Sequence, residues 1–410
     1  INFIDCQGII YASTDIKIIC YIITKKNKGD KIMKIVIAID SLKGSLSSIE
    51  AGEAIKAGIE HVYDDAKVIV SPLADGGEGT VEALTEGMDG NMRSLEVTGP
   101  LGTRVVCQYG IITETKTAII EMASAAGITL VAPDQRNPLL TTTYGVGEII
   151  ADAITMGCRH FIIGIGGSAT NDGGIGMLQA LGYRFLDKYG NQVTYGAQGL
   201  EQLVEIDDSG VVSSLNECTF KIACDVNNPL CGKLGSSAVY GPQKGATAEM
   251  IKKMDKGLND YAKLAKLKYP NADPELPGTG AAGGLGFAFL TFLNAQLESG
   301  IKIVLEETRL EEYIKDTDIV ITGEGRLDFQ TAMGKAPIGV AKLAKKYHKP
   351  VIAFAGSVTA DANECNHQGI DAYFPIVRGV TTLEEAMESS NAKNNLIATV
   401  EQVFRLWKIK

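Results

Sequence analysis

Six short loops carry the residues whose types and spacing could do chemistry: 40–47, 74–80, 164–174, 225–235, 323–328 and 356–357. Lys43 stands beside Gly44 and Ser45, just ahead of a helical pattern. An ammonium next to backbone amides in that setting suits a phosphate. Asp75 and Glu78 lie three apart among Gly76, Gly77 and Gly79. They suit holding Mg²⁺ or drawing a proton from a hydroxyl, and equally suit capping a helix. Asp172 also opens a helix and carries the same two readings. Arg326, between Glu324 and Asp328, suits a clamp on a carboxylate or phosphate, or a surface ion pair. Asp225 with Asn227 and Asn228 reads as metal or substrate contacts, or as an Asx turn before Pro229. Gln243-Lys244 in GPQKGA is equally open. Together these groups suit phosphoryl transfer, in which catalysis is positioning and electrostatics.

Such residues work only if something brings them together. Each loop follows an apolar run that reads as a strand, and in open α/β sheets ligands bind beyond the carboxyl ends of strands. The stretch FIIGIGGSATNDGGIGMLQALG, Phe161 to Gly182, shows the pattern most fully: strand, glycine-rich turn, helix. Lys34–Asp40 and Lys67–Ser71 read as strands, with a helix between them from a Ser47/Glu50 capping box to about His61. That rhythm predicts a parallel sheet. From Met92 the texture changes: Arg93–Thr98, Thr103–Thr113 and Lys116–Met122 read as strands joined by tight turns. Tyr144–Met156 reads as a helix and Lys221–Val226 as a strand, with Pro-Gly punctuation at 274–280 closing the section. Leu285, Phe289, Phe292, Leu293 and Leu297 share one helical face. Strands at 318–322, 350–355 and 373–377 alternate with helices to the end. The predicted fold is α/β in two domains. A parallel-sheet domain comes from 33–92 and 281–410, a mixed-sheet domain from 93–280 is inserted in it, and the active site lies in the cleft between them.

Composition narrows the partners. The chain has 410 residues and a net charge of −10 without a basic run, which argues against nucleic acid and anionic membrane. Its 46 glycines cluster in the loops. The 8 cysteines include no C-x-x-C pair and the 4 histidines lie far apart, so a disulfide or zinc framework is not expected. No G-x-x-x-x-G-K-[ST] occurs. Gly164-Ile-Gly166-Gly-Ser-Ala169 matches the dinucleotide fingerprint G-x-G-x-x-A, with Asp187 about twenty residues on. Residues 1–32 differ from the rest: Asn27–Ile32 is encodable as AAT AAA GGA GAT AAA ATT, a ribosome-binding pattern just ahead of Met33. The expectation is that 1–32 is a translated leader.

In order, AIDSLKGSLSSIEA, PLADGGEGT, GIGGSATNDGGIGMLQALG, ACDVNNPLCG, YGPQKGA, GAAGGLGFAFL and TGEGRLDFQTAMGKAP resemble the bacterial glycerate kinase type-1 family. The likeness runs from Met33 nearly to the C-terminus. It implies ATP-dependent, Mg²⁺-requiring phosphorylation of D-glycerate in the cytoplasm, 2-phosphoglycerate being the expected product ahead of 3-phosphoglycerate. It also implies a flavodoxin-like domain beside a second α/β domain. For that reaction, Lys43 and the amides of Gly44 and Ser45 are assigned to phosphate, and Arg326 to the carboxylate or γ-phosphate. Asp75 is the candidate base. Asp172 joins the catalytic set, with it or Glu78 touching Mg²⁺, and Asp225 and Asp328 are further candidate metal contacts. Thr170 and Asn171 are assigned to substrate hydroxyls. Asp40, Ser41, Gly76, Gly77, Gly166, Gly167, Ser168, Asn227, Gly323 and Glu324 are the remaining candidate substrate and nucleotide contacts. The competing readings are a nucleotide-linked oxidoreductase using Gly164–Ala169 and a non-catalytic sugar-acid sensor.

Overall fold

The computed structural model describes residues 32–74, 76, 77 and 79–409. The expected leader at 1–32 therefore lies outside the described residues, Ile32 excepted, as do Asp75 and Glu78.

β1 (Lys34–Ile37) and β2 (Lys67–Val70) are β-branched runs that pair in parallel, in register Lys34↔Lys67. The helix between them, Ser48–Glu60, begins on the expected capping box: the Ser47 hydroxyl accepts from the Glu50 amide and the Glu50 carboxylate from the Ser47 amide. After helix Thr80–Gly87 the chain enters a second sheet through β3 (Asn91–Thr98), β4 (Arg104–Ile112) and β5 (Thr117–Glu121), which pair antiparallel. Helix Tyr144–Thr155 then returns the chain to β6 (His160–Gly164), parallel to β5. β7 (Arg184–Leu186) and β8 (Glu205–Asp207) form a separate antiparallel pair, and β9 (Thr219–Ala223) lies beside β6. β10 (Gln296–Glu298) closes the second sheet. Only then do β11 (Ile319–Leu327), β12 (Val351–Val358) and β13 (Ala372–Pro375) complete the first. The result is a five-stranded parallel sheet, β13-β12-β11-β1-β2, and a six-stranded mixed sheet, β10-β9-β6-β5-β4-β3.

The chain's return differs from the expected position, 281. Helix Ala281–Phe292 packs Leu285, Phe287, Phe289 and Phe292 into the mixed sheet's core. Leu297, expected on that helical face, instead pairs with Ile222 in β10. The helix has already ended, and Asn294 reverses the chain with a φ of +48°. Both segments thus belong with the mixed sheet, because β9 would otherwise present an open edge.

The two sheets share one apolar layer. Val36 and Val320 of the parallel sheet fall in the same buried cluster as Ile119 and Ile162 of the mixed sheet, bridged by Leu84 and Val304. The cleft walls are held by this shared core rather than by a linker. Among the described residues no helix is long and apolar enough to cross a membrane.

Candidate active site

The loop after β1 is built to present its tip. Asp40 extends the strand, its amide donating to the Gly323 carbonyl of β11 at 2.9 Å. Leu42 and Leu46 are then buried and bond each other's backbone, at 2.9 and 3.1 Å. Between these two anchors the chain turns through Gly44, at φ +78°, leaving Lys43 and Gly44 exposed.

Lys43 lines three cavities, and the two larger of them meet at it. One, of about 410 Å³, runs between the loops after β6 and β9, and its lining includes Gly76, Gly166, Ser168, Asp225 and Lys244. The other, of about 380 Å³, opens where β1 and β11 end, and its lining includes Asp40, Glu324, Arg326, Lys335 and Met387. Lys43 lines both.

The first cavity has a cation in its wall. A single turn of 3-10 helix, Pro242–Lys244, ends at Gly245 and turns Lys244 inward, leaving the residue 2% exposed. Its Nζ donates to the Ser168 hydroxyl at 2.7 Å and the Thr170 carbonyl at 2.6 Å. An ammonium has three donors, so these bonds leave one more to give. Burial pushes Lys244 down to about 7, partly opposed by the negative charge of Asp172. Asp172 is itself wholly buried. One carboxylate oxygen accepts from the Thr143 amide and hydroxyl, both at 2.9 Å, and the other from the Gly174 amide at 3.1 Å. Burial raises its pKa against the pull of those bonds.

The expected contacts therefore separate into a wall and a backing. Gly76, Gly77, Gly166, Gly167, Ser168 and Asp225 reach the first cavity. Asp40, Ser41, Ser45, Glu324, Arg326 and Asp328 reach the second. Thr170, Asn171 and Asp172 are fully buried behind the wall, where Asn171 Nδ2 donates to the Ser237 hydroxyl at 2.9 Å. Asn227 is exposed on the loop after β9, outside the lining of either cavity. Gly323 lies within β11, pressed against the next strand. Gly76 is also a packing glycine: at φ +89° it fits between Ala223 and Gly300, which a Cβ would meet at 2.9 and 3.0 Å.

Asp225 and Asp328 are the described candidate metal contacts, and they and the candidate nucleotide contact Glu324 have local duties. Asp328 caps the turn Phe329–Ala332, accepting from the Gln330 and Thr331 amides at 2.9 and 3.2 Å. Glu324 accepts from the Thr331 hydroxyl at 2.6 Å. Arg326 is 64% exposed and 3.6 Å from Asp328, a weak ion pair. Asp225 reaches the cavity while one of its oxygens accepts the Gly300 amide at 3.1 Å, joining the loop after β9 to helix Gly300–Glu307. Among the described residues no three His, Cys, Asp or Glu side chains converge on one point. Mg²⁺ bound with a polyphosphate needs only one or two carboxylates, and Asp225 is the described carboxylate that lines this cavity.

Lys244 is the site residue whose part the sequence leaves open. Its partners Ser168 and Thr170 lie more than seventy residues away in the chain, so only the glycines flanking it in GPQKGA hint at a tight turn. The dinucleotide fingerprint lacks its structural context. The helix after β6 begins at Ile175, well beyond Gly166, so the glycines at 164–167 do not open it.

Comparison with known proteins covers nearly the whole chain. The model of a family described as the glycerate kinase family matches residues 35–408. The glycerate kinase of Haemophilus influenzae is 48% identical over 378 residues, spanning 92% of this chain and 100% of its own. The glycerate 2-kinase of Escherichia coli K12 is 49% identical over 373 residues, spanning 90% and 98%. A crystal structure from Salmonella typhimurium LT2, provisionally named glycerate kinase 2, superposes with a TM-score of 0.86 at 50% identity, over 92% of this chain and 99% of that one.

Proposed function

The chain belongs to the glycerate kinase family, and from that premise we propose that it transfers the γ-phosphoryl group of ATP to the C2 hydroxyl of D-glycerate, giving 2-phosphoglycerate. The observation that supports this most directly is the placement of Lys43 where two cavities meet. A phosphoryl group passing between two substrates is stabilised by a cation at that junction, which faces the negative charge spread over its equatorial oxygens and the leaving oxygen in the transition state. The bond from phosphorus to the C2 oxygen forms as the bond to the bridging oxygen of ADP breaks, and the hydroxyl proton leaves to a base.

The remaining roles follow from charge. Lys244 and Ser168 hold the glycerate carboxylate, and the amides of Gly166 and Gly167 lie beside it. Asp172, fixed by its three donors, is a positioning residue that balances the Lys244 charge and shapes the loop around it. Arg326 and Lys335 face the polyphosphate. Asp225, which lines the cavity beside Lys43, would hold Mg²⁺ bound with the nucleotide, and that ion would neutralise phosphate charge. Asp75 as the base rests on its spacing alone.

The test is an assay with ATP, Mg²⁺ and D-glycerate, coupled to enolase. Product consumed by enolase directly is 2-phosphoglycerate. Product consumed only after a phosphoglycerate mutase is added would move the phosphate to C3, and no D-glycerate-dependent ADP would end the kinase reading. Lys43→Ala is expected to lower kcat by at least about tenfold, the loss typical of removing one charge-assisted contact to the transferring group. Because Lys43 is exposed at a loop tip, the circular dichroism spectrum should not change. Turnover like wild type would remove Lys43 from the mechanism.

A further inference from the structure

The parallel sheet contains a reversal of winding. From β1 the chain passes to β2 on one side and, after the mixed sheet, to β11 on the other, giving the order β2-β1-β11-β12-β13. At such a point the loops leaving two adjacent strands diverge and open a crevice at their carboxyl ends. The 380 Å³ cavity lies in this crevice, between residues 40–45 and Glu324–Asp328.

Its lining is chemically two-sided. Lys43, Arg326 and Lys335 supply positive charge beside three carboxylates, Asp40, Glu324 and Asp328, which already accept from the Ser41 amide, the Thr331 hydroxyl and the Gln330 and Thr331 amides respectively. Ile376, Val377, Leu383 and Met387 supply an apolar shelf, from the segment after β13 and the short helix Leu383–Met387. Leu383 and Met387 are 76% and 38% exposed, so they are not there to fill the core. Three cations alone would suit any anion. An apolar shelf beside them suits a flat, weakly polar ring carried on an anionic tail, and the volume falls in the usual range for such a ligand.

We propose that this cavity holds the nucleoside half of the phosphoryl donor. The purine ring lies against Leu383 and Met387, and the phosphate chain runs past Arg326 to Lys43. The proposal rests on the kinase reading above and adds which side of the junction carries the donor; the cavity of Ser168, Asp225 and Lys244 is thereby left to glycerate.

Ala386→Trp, which fills the shelf, and Leu383→Asp, which places a charge on an already exposed position, test it. ADP and inorganic tripolyphosphate are titrated separately by calorimetry, and KM is measured for both substrates. Losing the apolar contact should weaken ADP and raise KM for ATP at least about tenfold. Tripolyphosphate affinity and KM for D-glycerate should hold, because neither ligand touches the shelf. If ADP binds both variants as it binds wild type, or if KM for D-glycerate rises instead, the shelf is not the purine site. The two readings fail separately. Wild-type turnover with unchanged ADP binding in both variants sinks the subsite and keeps the kinase. ADP binding that is lost in the variants, with no D-glycerate-dependent turnover in wild type, keeps the subsite and sinks the kinase.

Discussion

Lys244→Met is expected to lower kcat/KM for D-glycerate at least about a hundredfold, the cost of leaving a bound carboxylate and two buried oxygens without their charged donor. Methionine has nearly the same length and packs in the same space. The Ser168 hydroxyl and Thr170 carbonyl lose the Nζ that joins them at 2.7 and 2.6 Å. A role in holding the loop alone would also weaken activity, so pH separates the two. Lys244 titrates near 7 in the folded protein, below its ordinary 10.5. Between those values the unfolded chain binds more protons at this position, so the group's contribution makes stability rise with pH across the window. Anion binding has the opposite sign. A carboxylate needs the ammonium, so above pH 7 binding of D-glycerate should take up a proton and weaken as pH rises. Calorimetry in two buffers of different ionisation enthalpy reads that proton directly. Binding without proton uptake at pH 8 would reduce Lys244 to a structural pin, and wild-type kcat/KM in the variant would remove it from the site altogether.

Gly323→Ala is the substitution expected to harm the fold most. A Cβ at this position would stand 1.8 Å from the Phe354 carbonyl oxygen of β12 and 3.1 Å from Ile39. The first contact is with backbone in the middle of a sheet, which cannot rotate away as a flexible side chain would. The strands must part, and the Asp40 amide that bonds the Gly323 carbonyl moves with them. A loss of about 3 kcal/mol or more is expected, at the upper end for overpacking. The urea unfolding midpoint measures it, and an unchanged midpoint would show that β11 and β12 can separate at no cost.

Much of the fold is legible in the residues themselves. β-branched runs ending in glycine or polar loops give the strands, and Ser47 with Glu50 gives the start of a helix. These signals are local, and local signals survive without knowledge of the rest of the chain. β10 is the counter-example. Gln296–Glu298 is three residues long and becomes a strand only because β9 offers it an edge, so reading Leu297 as helical follows the periodicity and misses the partner. The site shows the same division. That Lys43 lies on a loop tip follows from its neighbours, whereas the burial of Lys244 depends on Ser168 and Thr170, which arrive on the loop after β6. The capping role of Asp328 could have been read from Thr331 three residues on. Charge drew attention to it first, and the local hydrogen bonds take up its oxygens.

The order of strands also governs how the chain can fold as it is made. β1 and β2 emerge first, yet β1 finally lies between β2 and β11. At roughly 5–20 residues per second, the roughly 250 residues that separate β2 from β11 keep that edge waiting on the order of ten to fifty seconds. Every strand of the mixed sheet, from Asn91 to Glu298, has by then left the ribosome. The middle of the polypeptide can therefore reach its native pairing while β1, paired with β2 on one side, still lacks β11 on the other. The free edge of β1, Lys34–Ile37, is the segment exposed to mispairing during synthesis, and β11, which begins only at Ile319, must arrive to cover it.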